Sequence, residues 1–140
     1  MYIINVFVSH SWSYSEDYDK IGEWLFGSTW SVGAEQLIFL DQSVPRTDPI
    51  HYAPNEETLR NAIYQRINSS DAVVIPTGVY ATYSKWIGKE IEGAHLYAKP
   101  IIGVDGWGAQ RGSTVVRDAA SVVVGWTKKS VATAVWQETR

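Results

Sequence analysis

Two hydrophobic rhythms alternate along this chain: short continuous apolar runs, and longer stretches in which apolar residues return every three or four positions. The runs at residues 3–9, 37–41, 72–76, 101–105 and 122–125 are rich in Val and Ile and bounded by polar residues, Gly or Pro, so they predict strands. Ala72-Val73-Val74-Ile75 has no polar position at all, as expected of a strand covered on both faces. Between the runs, Tyr18, Ile21, Trp24 and Leu25 make one helical stripe that ends near Gly27. Leu59, Ala62, Ile63 and Ile67 mark a second helix beginning near Asn55 or Thr58. Residues 84–98 form a third, residues 114–119 a short helical piece, and residues 127–138 a last helix burying Val131, Ala134 and Val135.

Strands alternating with helices predict an α/β fold. The expected architecture is a flavodoxin-like three-layer sandwich around a five-stranded parallel sheet of order 2-1-3-4-5, one domain over residues 1–140. An α+β domain with an antiparallel edge is the alternative. Residues 42–54, carrying Pro45, Pro49 and Pro54, are too long and polar for a plain connection. In open α/β sheets ligands bind beyond the carboxyl ends of the strands. That rule gathers Ser9-His10-Ser11-Trp12, the stretch from Asp41 onward, Thr77-Gly78-Val79-Tyr80, Asp105-Gly106-Trp107, and the start of the third helix.

Charge and composition narrow the partners. A net charge of −3 without basic clusters argues against nucleic acid. The apolar start lacks a basic flank and stops after about eight residues, well short of the ~20 that a membrane span needs, so no membrane partner is expected. Cysteine is absent, which excludes thiolate catalysis and disulfides and fits a reducing cytoplasm. Seven Trp and eight Tyr exceed what a core of this size absorbs, favouring a stacking surface or a protein interface.

Several chemistries of such folds lack their residues here. Ser9-His10-Ser11-Trp12-Ser13 has hydroxyls but no glycine to close around a flavin phosphate. Strand three ends Ile75-Pro76-Thr77, without the acceptor Asp of a phospho-receiver. No dinucleotide fingerprint opens the first helix, and Gly106-Trp107-Gly108 echoes one at the wrong strand. His10, His51 and His95 stand at no ligand spacing, so no metal is expected. His95 fits a solvated or core histidine. His10 ends strand one on the ligand edge, where binding and plain hydrogen bonding both remain open. A Ser11–His10–Asp41 triad is opposed by alternation, since adjacent residues on an extended strand point to opposite faces.

The third helix carries the sharper signal. Trp86 and Glu90 are one turn apart on one face, with Tyr83 a turn earlier and Tyr97 two turns later. The core stripe Ile87, Ile91 and Ala94 lies beside that face, so Glu90 is expected at the border of core and cleft, and Glu92 on the solvated side. One reading makes Glu90 a surface helix residue paired with Lys85, Lys89 or a neighbouring loop; the other makes it a catalytic carboxylate. A lone carboxylate serves ordinary glycoside hydrolysis poorly, because the leaving oxygen needs an acid. Nicotinamide leaves NAD as a neutral base and needs none. One carboxylate beside the ribose can then steady the oxocarbenium ion, with Trp12, Trp86 or Trp107 stacking on the bases.

Val6-Phe7-Val8-Ser9-His10-Ser11, Ser84-Lys85-Trp86-Ile87-Gly88-Lys89-Glu90-Ile91 and Pro100-Ile101-Ile102-Gly103-Val104 resemble the bacterial TIR-like (Toll/interleukin-1 receptor-like) family. The closer likeness is to the short branch found in Thoeris antiphage systems, and it covers nearly the whole chain. Residues 43–50, 80–87 and 115–120 are also in the style of that branch. The Trp-x-x-x-Glu helix is its most specific motif. The resemblance implies order 2-1-3-4-5 and an NAD glycohydrolase or ADP-ribosyl cyclase-like enzyme in which Glu90 breaks the nicotinamide–ribose bond. NAD would be substrate, with no separate cofactor. The product would be a cyclic ADP-ribose isomer or an ADP-ribose conjugate sensed by a separate effector, and the enzyme would be a homo-oligomer. Ser9, His10 and Ser11 match the strand-one edge that faces NAD; Trp12, Asp41, Tyr83 and Trp86 are further candidate contacts from their places at the strand ends and on the third helix, while Trp107, also a candidate contact, lies with Arg111 in a segment that departs from the family and maps to no family role. Arg111 would hold a pyrophosphate or sit in solvent. Two alternatives remain: a TIR-like assembly module without turnover, and a nucleoside deoxyribosyltransferase-like enzyme.

Overall fold

The computed structural model describes residues 1–9, 16–43, 56–77, 80–106 and 114–140. Its elements are β1 (Tyr2–Val8), α1 (Glu16–Phe26), β2 (Trp30–Val32), β3 (Glu35–Asp41), α2 (Glu56–Asn68), β4 (Ala72–Pro76), α3 (Tyr80–Leu96), β5 (Ile101–Val104), α4 (Thr114–Ala119), β6 (Val122–Val124) and α5 (Lys128–Glu138). Among the described residues, six strands form one sheet of order β2-β3-β1-β4-β5-β6, accompanied by five helices.

The expected five-stranded, all-parallel sheet is therefore corrected in count, order and direction. The added strand, β2, pairs antiparallel with β3, Trp30 against Leu37 and Val32 against Glu35, and forms one edge. The hairpin is closed by Gly33-Ala34, with Gly33 at φ 60°, the left-handed conformation such a two-residue loop requires of its first residue. Three residues are too few to register as a period-two run, which is why β2 escapes the hydrophobic pattern. The other five strands are mutually parallel and keep the expected relative order.

Alternation along the strands builds a core on each face. Ile4, Val6, Val8, Leu37, Phe39, Val74 and Ile102 pack with Ile21 and Leu25 of α1 and Val131 and Val135 of α5. Phe7, Val73, Ile75 and Ile101 pack on the other face with Ile63 and Ile67 of α2, Ile87 and Ala94 of α3, and Val116 of α4. The result is three layers. At Gly93 a Cβ would stand 2.9 Å from Tyr64 Cδ1 and 3.1 Å from Ile67 Cδ1, so the missing side chain is what lets α2 and α3 approach.

Helix ends follow local chemistry. Thr127 caps α5, its hydroxyl accepting the Ser130 N–H at 3.1 Å. After α3, the Lys99 N–H reaches Ala94 O at 2.8 Å and the Ala98 N–H reaches His95 O at 3.2 Å. That pairing is a Schellman motif, and its left-handed position is held by Ala98 at φ 54° instead of by glycine.

Candidate functional site

The polar residues that end the central strands meet at the carboxyl rim of the sheet. Ser9 is fully buried, and its N–H donates to Val74 O at 2.8 Å, carrying the β1–β4 pairing one residue beyond β1. Asp41 ends β3 and is exposed. Its Oδ1 accepts the Ser43 N–H at 2.8 Å, an Asx turn that swings the chain across the end of β1. Ser43 is thereby buried, and its hydroxyl accepts the Val8 N–H at 2.8 Å.

A second cluster joins β4, β5 and α4. The buried Thr77 donates its hydroxyl to Asp105 Oδ1 at 2.7 Å, and Arg117 Nη2 donates to the same oxygen. These groups hold the Asp105 carboxyl below its usual range: the Thr77 hydrogen bond contributes most, partial burial opposes it, and the Arg117 hydrogen bond and charge reinforce the lowering. Asp105 is thus an ionised carboxylate fixed at the rim. The Thr77 N–H on Val104 O (3.0 Å) and the Asp105 N–H on Val124 O (2.9 Å) tie the backbone beneath it.

Glu90 lies in α3 and is 0% exposed, with Oε2 sealed from solvent. The expectation of a residue at the border of core and cleft is corrected: it is inside. At about 100° per residue, Glu90 falls ~40° from Ala94 and ~60° from Gly93, the buried positions that meet the sheet core and α2. Burial also removes the reading of Glu90 as a solvated surface residue. Glu92, on the far side of α3, is exposed as expected. Lys89 is likewise buried, at 8% exposure. A buried carboxylate is costly unless its neighbours engage it, and Glu90 has such an interaction.

Of the other expected site residues, His10, Ser11, Trp12, Trp107 and Arg111 lie outside the described residues, as does most of the 42–54 loop. Tyr83 and Trp86 belong to α3 by backbone, and their side chains are outside the description. His95 is exposed, with Nε2 3.3 Å from Ala119 O. Motif and spacing do not single out Ser43, Thr77, Asp105 or Arg117 as site residues. Ser43, Thr77 and Asp105 stand in segments marked by the strand-end rule, whereas Arg117 is marked only by lying in the family-like stretch 115–120, which assigns it no role. The described residues assemble no group of three metal-ligating side chains, and none of their helices is long and apolar enough to cross a membrane. A cavity of about 410 Å³, lined among others by Tyr2, Asp71, Trp136 and Arg140, opens at the opposite, amino end of the sheet. Asp71 there accepts the Asn5 backbone N–H at 2.8 Å, and the cavity lies away from the carboxyl strand ends where such sheets bind ligands.

Residues 7–111 match the family model of the Thoeris protein ThsB, TIR-like domain. No curated protein matches the chain by sequence at a significant level. Among solved structures, the CMP N-glycosidase BcmB of Clostridium botulinum superposes with a TM-score of 0.54 at 14% identity, over 95% of this chain and 98% of that one. The translation elongation factor SelB of Methanococcus maripaludis, in complex with the GTP analogue GppNHp, gives 0.57 at 11% identity over 98% of this chain. The present chain spans about a third of that protein, 34% of its length. At such identities these likenesses show the fold alone.

Proposed function

Because this chain belongs to the Thoeris ThsB TIR-like domain family, we propose that residues 1–140 act as one NAD-consuming domain of antiphage defence. In this reading Glu90 promotes cleavage of the nicotinamide–ribose bond. The C1′–N bond breaks with both electrons leaving on nicotinamide, which departs neutral. The positive charge left on the ribose is steadied by the Glu90 carboxylate until a nucleophile adds at C1′: a group of the same nucleotide, which closes a cyclic ADP-ribose isomer, or a separate acceptor, which gives an ADP-ribose conjugate. The product is an ADP-ribose derivative that a separate effector senses, and the working enzyme is a cytoplasmic homo-oligomer.

The observation that carries this reading is the complete burial of the acid of the Trp-x-x-x-Glu helix. A sheltered carboxylate acts on developing charge more strongly than a solvated one, because water does not screen it. That an N-glycosidase of CMP shares the fold is compatible with the same class of bond cleavage. Incubating the protein with NAD and analysing products by mass spectrometry tests the proposal. Nicotinamide plus an ADP-ribose-derived species is expected. Intact NAD at all protein concentrations, and in lysate from phage-infected cells, would overturn it.

The same burial favours one second reading, an assembly module without turnover, since NAD can touch Glu90 only if the packing over it opens. Self-association with no NAD consumption is the outcome that selects it.

A further inference from the structure

We propose that Asp105 recognises the ligand's sugar, its Oδ2 accepting a ribose hydroxyl at the carboxyl rim of β5; this rests on the NAD reading and extends it to a residue that reading does not use. The placement comes from alternation. Ile75 and Ile101 belong to the core under α2, α3 and α4, so Thr77 and Asp105, two and four residues on, point into the same layer. The position a Cβ would take at Gly103 stands 3.4 Å from both Thr77 Cγ2 and Ala120 Cβ, in keeping with that side. Glu90 hangs from α3 into the same layer, and the rule for α/β sheets puts ligands above these strand ends.

The chemistry comes from how the carboxylate is held. Thr77 and Arg117 both bond Oδ1, which fixes the plane of the group, and Oδ2 receives no hydrogen bond from the described residues. The side chain is 25% exposed, so part of it meets solvent at the rim. Thr77 and Arg117 keep the group ionised, so it only accepts hydrogen bonds. An anionic, pre-oriented acceptor repels phosphate and attracts neutral donors. In a dinucleotide those are the amides, the adenine amine and the ribose hydroxyls, and of these the hydroxyls lie next to the bond that breaks. Arg117, 39% exposed, supplies the counter-charge that lets the carboxylate sit at the rim before any ligand arrives.

The test uses the full chain, with Glu90→Gln introduced to suppress turnover, and isothermal titration calorimetry with NAD and its 2′- and 3′-deoxyribose analogues. Adding Asp105→Asn is expected to weaken NAD roughly tenfold or more, the loss typical of a hydrogen bond to a charged group. The loss should vanish for the analogue that lacks the contacted hydroxyl. Thr77→Val, which unpins the carboxylate without deleting it, should give a smaller loss with the same sugar dependence, and it serves if Asp105→Asn does not fold. Equal weakening of NAD and every deoxy analogue would make Asp105 a structural tie between β5 and α4 and overturn the inference. NAD binding indifferent to Asp105 would overturn it while leaving the NAD reading intact. A wild-type chain that neither binds nor consumes NAD would overturn both.

Discussion

Ala98→Gly should stabilise this protein. Ala98 takes φ 54° at the left-handed position of the motif that ends α3, and it is exposed, so removing its methyl deletes no buried contact. Left-handed backbone costs a residue with a Cβ about 1–2 kcal/mol. Glycine returns about 0.4–1 kcal/mol of that through its greater freedom in the unfolded chain. The balance is a net gain of about 0–1.6 kcal/mol, or up to about 5 °C in a domain of this length. Urea unfolding followed by tryptophan fluorescence reads it as a rise in midpoint with the slope unchanged. Gly33→Ala is the mirror experiment. Gly33 sits at φ 60° with nothing within 4 Å of a built Cβ, so the loss there is backbone strain of about 1–2 kcal/mol less the roughly 0.4–1 kcal/mol returned by the stiffer unfolded chain. A destabilised Ala98→Gly, or a stabilised Gly33→Ala, would refute the left-handed account of both turns.

Other changes probe the rim and the helix contact. Ser43→Ala strands the Val8 N–H in the interior and should cost about 1–3 kcal/mol, whereas Ser69→Ala, which removes an exposed hydroxyl bonded to Gln65 O, should stay within about 0.5 kcal/mol in the same melt. Asp105 titrates lower folded than unfolded, so its contribution is present above the unfolded value near 3.8 and is lost as pH falls through the folded one. Asp105→Asn should therefore flatten the acid limb of a stability–pH curve below about pH 4 and lower the neutral plateau; unchanged curves would contradict the Thr77–Asp105–Arg117 tie. Gly93→Val should destabilise by about 1–3 kcal/mol by pushing Tyr64 and Ile67 off α3, measured as a lowered midpoint.

The legible and the hidden parts of the fold divide along physical lines. Strands such as Ala72–Pro76 and the helix Thr114–Ala119 are legible because burial on both faces, or a stripe at helical spacing, writes itself over consecutive residues. β2 is not, because a three-residue edge strand beside a two-residue turn leaves only Trp30 and Val32 as a pattern. Glu90 is found by residue type and spacing from Trp86, yet its depth is not. A helical wheel gives an angle, and whether a flank is cleft or core depends on α2, which packs there through Gly93. Ser43, Thr77 and Arg117 stay hidden for a related reason. Their roles are contacts across 35, 28 and 12 residues of sequence, and no local pattern encodes which backbone N–H or carboxylate each will meet.

The most direct measurement is nicotinamide release from NAD by the wild-type chain and by Glu90→Gln at matched folding, judged by melting temperature and circular dichroism. A carboxylate that steadies developing charge predicts steady release by the wild type and a fall of roughly a hundredfold or more in the variant. Equal release by the two proteins would show that the acid buried in α3 takes no part in the chemistry.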